Sequence, residues 1–92
     1  YYTDALLMKG LVYNGLKRHN DAIECYNKVI SIEPKNSHAY AYKGMTYNEL
    51  KREIEAIECF DKAIIIDPNN VNAHYFKGVS FHQLQRYNEA IG

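Results

Sequence analysis

The chain has 92 residues, and eleven basic side chains balance eleven acidic ones, so its formal net charge is zero. That balance, with no strongly basic stretch, argues against a nucleic-acid partner, and 47% hydrophobic against 24% charged residues excludes a disordered chain. The longest apolar runs, such as "AIII" at 63–66, are too short for membrane insertion. Cys25 and Cys59 alone do not make a disulfide scaffold.

In chain order, units of one length follow each other. Gly10, Gly44 and Gly78 stand 34 residues apart, as do Pro34 and Pro68, Cys25 and Cys59, and Ala22, Ala56 and Ala90. The unit at 3–36 matches the unit at 37–70 at half of its positions, and a third, truncated unit runs over 71–92 and stops at Gly92. In the first unit, Ile23, Tyr26 and Ile30 fall at helical spacing and Pro34 closes the helix. In the second, the turn signal "EPKN" precedes Ser37, the expected N-cap of a helix over Ser37–Leu50. A short link at 51–53 leads into a second helix, Glu53–Ile66, with Ile54, Ala56, Ile57, Phe60, Ala63 and Ile64 at helical spacing. The third unit follows "DPNN" at 67–70, and its last seven residues are expected to begin a second helix.

Links this short make each helix pair antiparallel. A lone hairpin cannot bury its own apolar face, so the pairs must stack into an array. Glu24 with Lys28 and Glu58 with Lys62 are oriented as favourable i,i+4 pairs on a solvated face. A glycine inside a helix costs about 1 kcal/mol relative to alanine. Its recurrence at one offset therefore calls for a packing reason.

This pattern resembles the tetratricopeptide repeat family. Its marks appear as Leu6, Gly10, Tyr13, Ala22, Tyr26, Val29 and Pro34, then as Tyr40, Gly44, Tyr47, Ala56, Phe60, Ala63 and Pro68, then as His74, Gly78, Phe81 and Ala90. Lys9, Lys43 and Lys77 depart from the apolar residue usual before the glycine, and Val29 from the usual small one. The resemblance implies an all-α fold, a right-handed superhelical array of antiparallel helix pairs, that is, a tetratricopeptide-like α-solenoid. It implies that Gly44 and Ala56 let two helices approach closely, with Tyr47 and Phe60 beside them.

It also implies a concave groove lined by first helices. The groove residues would be Leu7, Met8, Leu11 and Asn14, with Asp4, from the first unit. The second would give His38, Tyr42, Met45 and Asn48, with Ala41 and Glu49. The third would give Asn72, Tyr75, Phe76, Val79 and His82, with Gln83. Co-chaperone members grip a C-terminal carboxylate with lysines, asparagines and arginine. The corresponding positions here hold Leu7, Leu11, Tyr42, Asn72 and Phe76, which lack the charge such a clamp needs.

No phosphate loop, dinucleotide fingerprint or HExxH occurs, so no enzyme activity, cofactor or metal is expected. His74 and His82 lie about 12 Å apart along a helix, too far to share a metal. The function expected is a protein-interaction scaffold that takes a peptide or amphipathic helix of apolar character in the groove. A self-associating module (dimer or end-to-end assembly) and an accessory recruiting domain of a larger enzyme stay open. The chain reads as a piece of a longer protein, and a cytoplasmic setting is the default expectation.

Overall fold

The computed structural model describes residues 2–91, so the expected end of the third unit at Gly92 lies outside the described residues. They form five helices: α1 (Tyr2–Gly15), α2 (His19–Ile32), α3 (Ser37–Glu49), α4 (Glu53–Ile66) and α5 (Val71–Ile91). None is long and apolar enough to cross a membrane.

The turn inside each of the first two units is the same. Lys17 and Lys51 adopt left-handed backbone, φ 65° and 63°. The Arg18 N–H then reaches the Tyr13 carbonyl and the Lys17 N–H that of Asn14, while Arg52 and Lys51 repeat this on Tyr47 and Asn48. This is the double bond of a Schellman cap, with lysine where glycine is commonest.

The turn between units is also repeated. Pro34 and Pro68 sit second in turns closed by Asn36 N–H to Glu33 carbonyl and Asn70 N–H to Asp67 carbonyl, both 3.0 Å. The side chains of Asn36 and Asn70 accept from the N–H groups of Ala39 and Ala73, each at 3.1 Å. The N-cap of α3 is therefore Asn36, not Ser37 as expected. Ser37 has moved inside: its hydroxyl donates to the Ala63 carbonyl at 2.9 Å and accepts from Asn70 Nδ2 at 2.6 Å. That buried chain knots the starts of α3 and α5 to the end of α4.

Two small cores fill the array. One joins Leu6, Leu7, Ala22, Tyr26, Val29 and Ala39. The other joins Ala41, Ala56, Phe60, Ala63 and Ala73, with Tyr40, Tyr47, Ile64 and Phe76 packed against it. The glycines explain themselves here, with a change of partner from the expected Ala56. A Cβ at Gly44 would stand 2.6 Å from Phe60 Cε1, and one at Gly10 would stand 2.5 Å from Tyr26 Cε1. Each glycine makes room for an aromatic ring of the second helix. Lys62 lies over the Tyr40 ring at 5.7 Å, where the sequence suggests a pair with Glu58.

α5 departs from the expected pattern. It runs unbroken from Val71 to Ile91, through Gln85, the counterpart of Lys17 and Lys51. A turn there would cost about 1–2 kcal/mol of left-handed backbone at a non-glycine residue. In the first two units a full second helix offsets that cost by burial. Residues 86–91 are all exposed, so no burial here offsets that cost, and continuing the helix, with every backbone bond kept, wins.

Candidate functional site: the inner face of the helix array

α1 touches α3 and α3 touches α5, whereas α2 and α4 do not touch. The first helices therefore crowd onto the shorter side of the array. This inner side is where the expected groove residues fall, in rows 34 residues apart.

Leu11, Met45 and Val79 form a half-buried apolar row. Beside it run Met8, Tyr42 and Phe76. Tyr42 leans on Tyr26 with ring centroids 6.0 Å apart, and Phe76 on Phe60 at 6.3 Å, so both rings are half core and half open face. Met8 has no such support in front of it and is 67% exposed. Tyr75 is 66% exposed and meets Phe76 edge-on at 5.1 Å. His38 stacks on Tyr42 at 6.2 Å, and His38, Asn72 and His82 are all exposed.

Four expected groove residues stand elsewhere, Ala41 among them, 1% exposed in the second core. Leu7 is 9% exposed and belongs to the first core. Asn14 and Asn48 are committed inside the protein, so neither is a free donor for a ligand. Asn14 Nδ2 donates to Glu49 Oε2 at 2.7 Å, and Asn14 Oδ1 accepts from the Thr46 hydroxyl at 3.0 Å. Asn48 Nδ2 donates to the Phe76 carbonyl at 3.2 Å, and Asn48 Oδ1 accepts from the Ser80 hydroxyl at 2.6 Å. The two ties are one device repeated after 34 residues. The sequence held a signal for it: hydroxyls at 46 and 80 keep the same offset as the asparagines. Val12 and His82 occupy the unmatched ends of this series, and both are exposed.

Electrostatics on this face are modest. Glu49 stands 3.7 Å from Lys17 Nζ and 3.5 Å from His19 Nε2, and Lys17 is largely solvated. Behind the face, burial pushes the Tyr26 phenol well above its ordinary pKa, while the neighbouring Thr46 hydroxyl acts the other way. The Tyr26 hydroxyl has no hydrogen-bond partner in this geometry. Burial also raises the Cys59 thiol; Cys59 and Cys25 are both buried and unpaired with each other. Among the described residues no group of three histidine, cysteine or acidic side chains could hold a metal ion. A cleft at the inter-unit turns is lined by Pro34, Lys35, His38, Ile66 and Asp67, so His38 borders both it and the inner face.

A family model, Tetratricopeptide repeat, matches residues 3–36 and again residues 37–70, well over half of the chain. The chain belongs to the tetratricopeptide repeat family. Solved structures agree with this tetratricopeptide array. The first such domain of Spaghetti (RPAP3), bound to the HSP90 peptide SRMEEVD, superposes with a TM-score of 0.87 at 25% identity, covering 96% of this chain and 72% of that one. The OM64 domain from Arabidopsis gives 0.84 at 28% identity, covering 97% and 74%. The TPR2B domain of yeast Sti1, in complex with pHsp70, gives 0.86 at 25% identity, covering 96% and 70%. No curated protein matches the chain in sequence. The all-α solenoid and a protein-binding role follow from this membership; catalysis is not the business of the family or of these neighbours.

Proposed function

We propose that the inner face of this array receives an apolar or amphipathic segment of a partner protein. The observation that carries the reading is the open apolar surface built from Met8, Leu11, Tyr42, Met45, Phe76 and Val79. Met and aromatic side chains adapt to a helix or an extended segment by dispersion contact, without demanding a charged end. Two of the neighbours above were solved with chaperone peptide or chaperone bound. This face differs from a carboxylate clamp in its chemistry: Leu7, Leu11, Tyr42, Asn72 and Phe76 supply no cation, and Leu7 is buried. The face thus favours side chains of the ligand over its terminal carboxylate.

The test uses two labelled probes, SRMEEVD and an amphipathic peptide with Leu and Phe at helical spacing, each with a free and an amidated C-terminus. The amphipathic probe is expected to bind, and amidation to change nothing. Met8→Asp and Met45→Asp are expected to weaken it at least tenfold, with Ile65→Asp on α4, 80% exposed, as a control outside the face. Unchanged binding by both variants, or binding of SRMEEVD that amidation abolishes, overturns the reading.

A further inference from the structure

Gly10 and Gly44 are each covered by the ring of a second helix, but Gly78 is not: a Cβ built there would meet nothing within 4 Å. Around it, Val71, Tyr75, Gly78, Phe81, His82 and Gln85 follow at three- and four-residue spacing along one stripe of α5, and all six are exposed. The stripe carries no aspartate, glutamate, lysine or arginine. Lys77, beside it, lies 5.9 Å over the Phe81 ring and has its charge offset by Asp61 at 2.6 Å. Val71, Tyr75 and Phe81 are 77%, 66% and 54% exposed, which sets large apolar groups on a helix face that its counterparts α1 and α3 keep covered.

The geometry points to a second copy of this chain as the occupant of that stripe. Two α5 helices would cross antiparallel, with the two-fold axis at Gly78. The spacing has the symmetry that an isologous contact requires, because Tyr75 and Phe81 stand three residues on either side of the glycine. A two-fold there sets Tyr75 of each molecule against Phe81 of the other. The glycine lets the backbones approach, and the partner's rings fill the place that Tyr26 and Phe60 fill over Gly10 and Gly44. An uncharged stripe meets its own copy without like-charge repulsion, whereas α2 and α4 present Glu24, Lys28, Glu58 and Lys62 outward. One face of a single helix, about four turns from Val71 to Gln85, buries less than the ~800 Å² per partner of a stable dimer, so the association is weak and shows only at high concentration.

Sedimentation equilibrium of the chain from micromolar to millimolar concentration tests this. A reversible dimer is expected, and Gly78→Leu is expected to weaken it at least tenfold with helicity retained, since that side chain has free space in the single molecule. Phe81→Lys is expected to do the same. The register has its own test: under mild oxidation Gly78→Cys is expected to give a covalent dimer quickly, and Gln85→Cys slowly, because an antiparallel crossing sets the two copies of residue 85 far apart. A monomer at every concentration overturns the proposal. So does association that survives Gly78→Leu, or crosslinking through residue 85 as fast as through residue 78.

Discussion

The Asn14 side chain accepts a hydrogen bond from the Thr46 hydroxyl at 3.0 Å, joining the first helices of two successive repeats. Thirty-four residues on, Ser80 gives the same bond to Asn48 at 2.6 Å. With the bonds from Asn14 Nδ2 to Glu49 and from Asn48 Nδ2 to the Phe76 carbonyl, these ties join successive first helices through paired side-chain hydrogen bonds on the inner side of the array.

Asn48→Ala should cost about 0.5–1.5 kcal/mol, because it removes the cross-repeat bonds to the Ser80 hydroxyl and the Phe76 carbonyl, which still have each other at 3.1 Å. In a repeat array each unit feels mainly its neighbours. Amide hydrogen exchange should therefore quicken across α5 and the end of α3, while α1 and α2 stay protected. Uniform loss of protection, or none, would contradict the tie.

The three glycines should part company. Gly44→Ala puts a methyl 2.6 Å from Phe60 Cε1, and the ring is fully buried, so it cannot step aside. Overpacking of this kind costs about 1–3 kcal/mol. Gly78→Ala meets nothing and sits on an exposed helix face, where alanine gains about 1 kcal/mol over glycine. Thermal melts of the two variants should thus move in opposite directions, although the sequence contexts "YKGM" and "FKGV" look alike.

That contrast marks what the sequence could and could not reveal. The first four helices and their hairpin pairing follow from periodicity, because glycine, proline and alanine at a fixed offset reflect backbone demands that every unit shares, while the groove came only from the family resemblance. The partner of Gly44 did not follow: Ala56 and Phe60 lie one turn apart on α4, and only the relative rotation of the helices selects the ring. Asn14 and Asn48 were misplaced because a polar residue beside a groove reads as solvated until its cross-repeat hydroxyl is in view. The unbroken α5 was missed because "YNEAI" resembles "EIEAI" locally. Whether a turn forms before it depends on burial further along, which local resemblance does not report.

Tyr26 and Phe60 are repeat counterparts, yet the Tyr26 hydroxyl is buried with no hydrogen-bond partner in this geometry. Tyr26→Phe removes an uncompensated polar atom and leaves the ring over Gly10. It should be neutral or stabilising, by up to about 1–2 kcal/mol. A denaturant midpoint at or above that of the parent agrees; a clear loss would mean that Thr46 bonds this hydroxyl after all, in keeping with its lowering influence on the phenol.

Acid should weaken the tie between the start of α1 and the turn that follows α2 through Glu33. Asn36 Nδ2 donates to its carboxylate at 2.9 Å and the Thr3 hydroxyl at 3.0 Å, and in that order these bonds hold the Glu33 pKa below the usual value. A carboxylate whose folded pKa is depressed contributes stability above its unfolded pKa, about 4.3, and loses it as pH falls through the lower folded value. The contribution is present at neutral pH and fades in the acid range. Glu33→Gln keeps the shape but not the titration. Urea midpoints of parent and variant, measured from neutral pH downward, should therefore differ most at neutral pH and converge in acid. A gap that stays constant with pH would show that the carboxylate charge plays no part in holding Thr3 and Asn36.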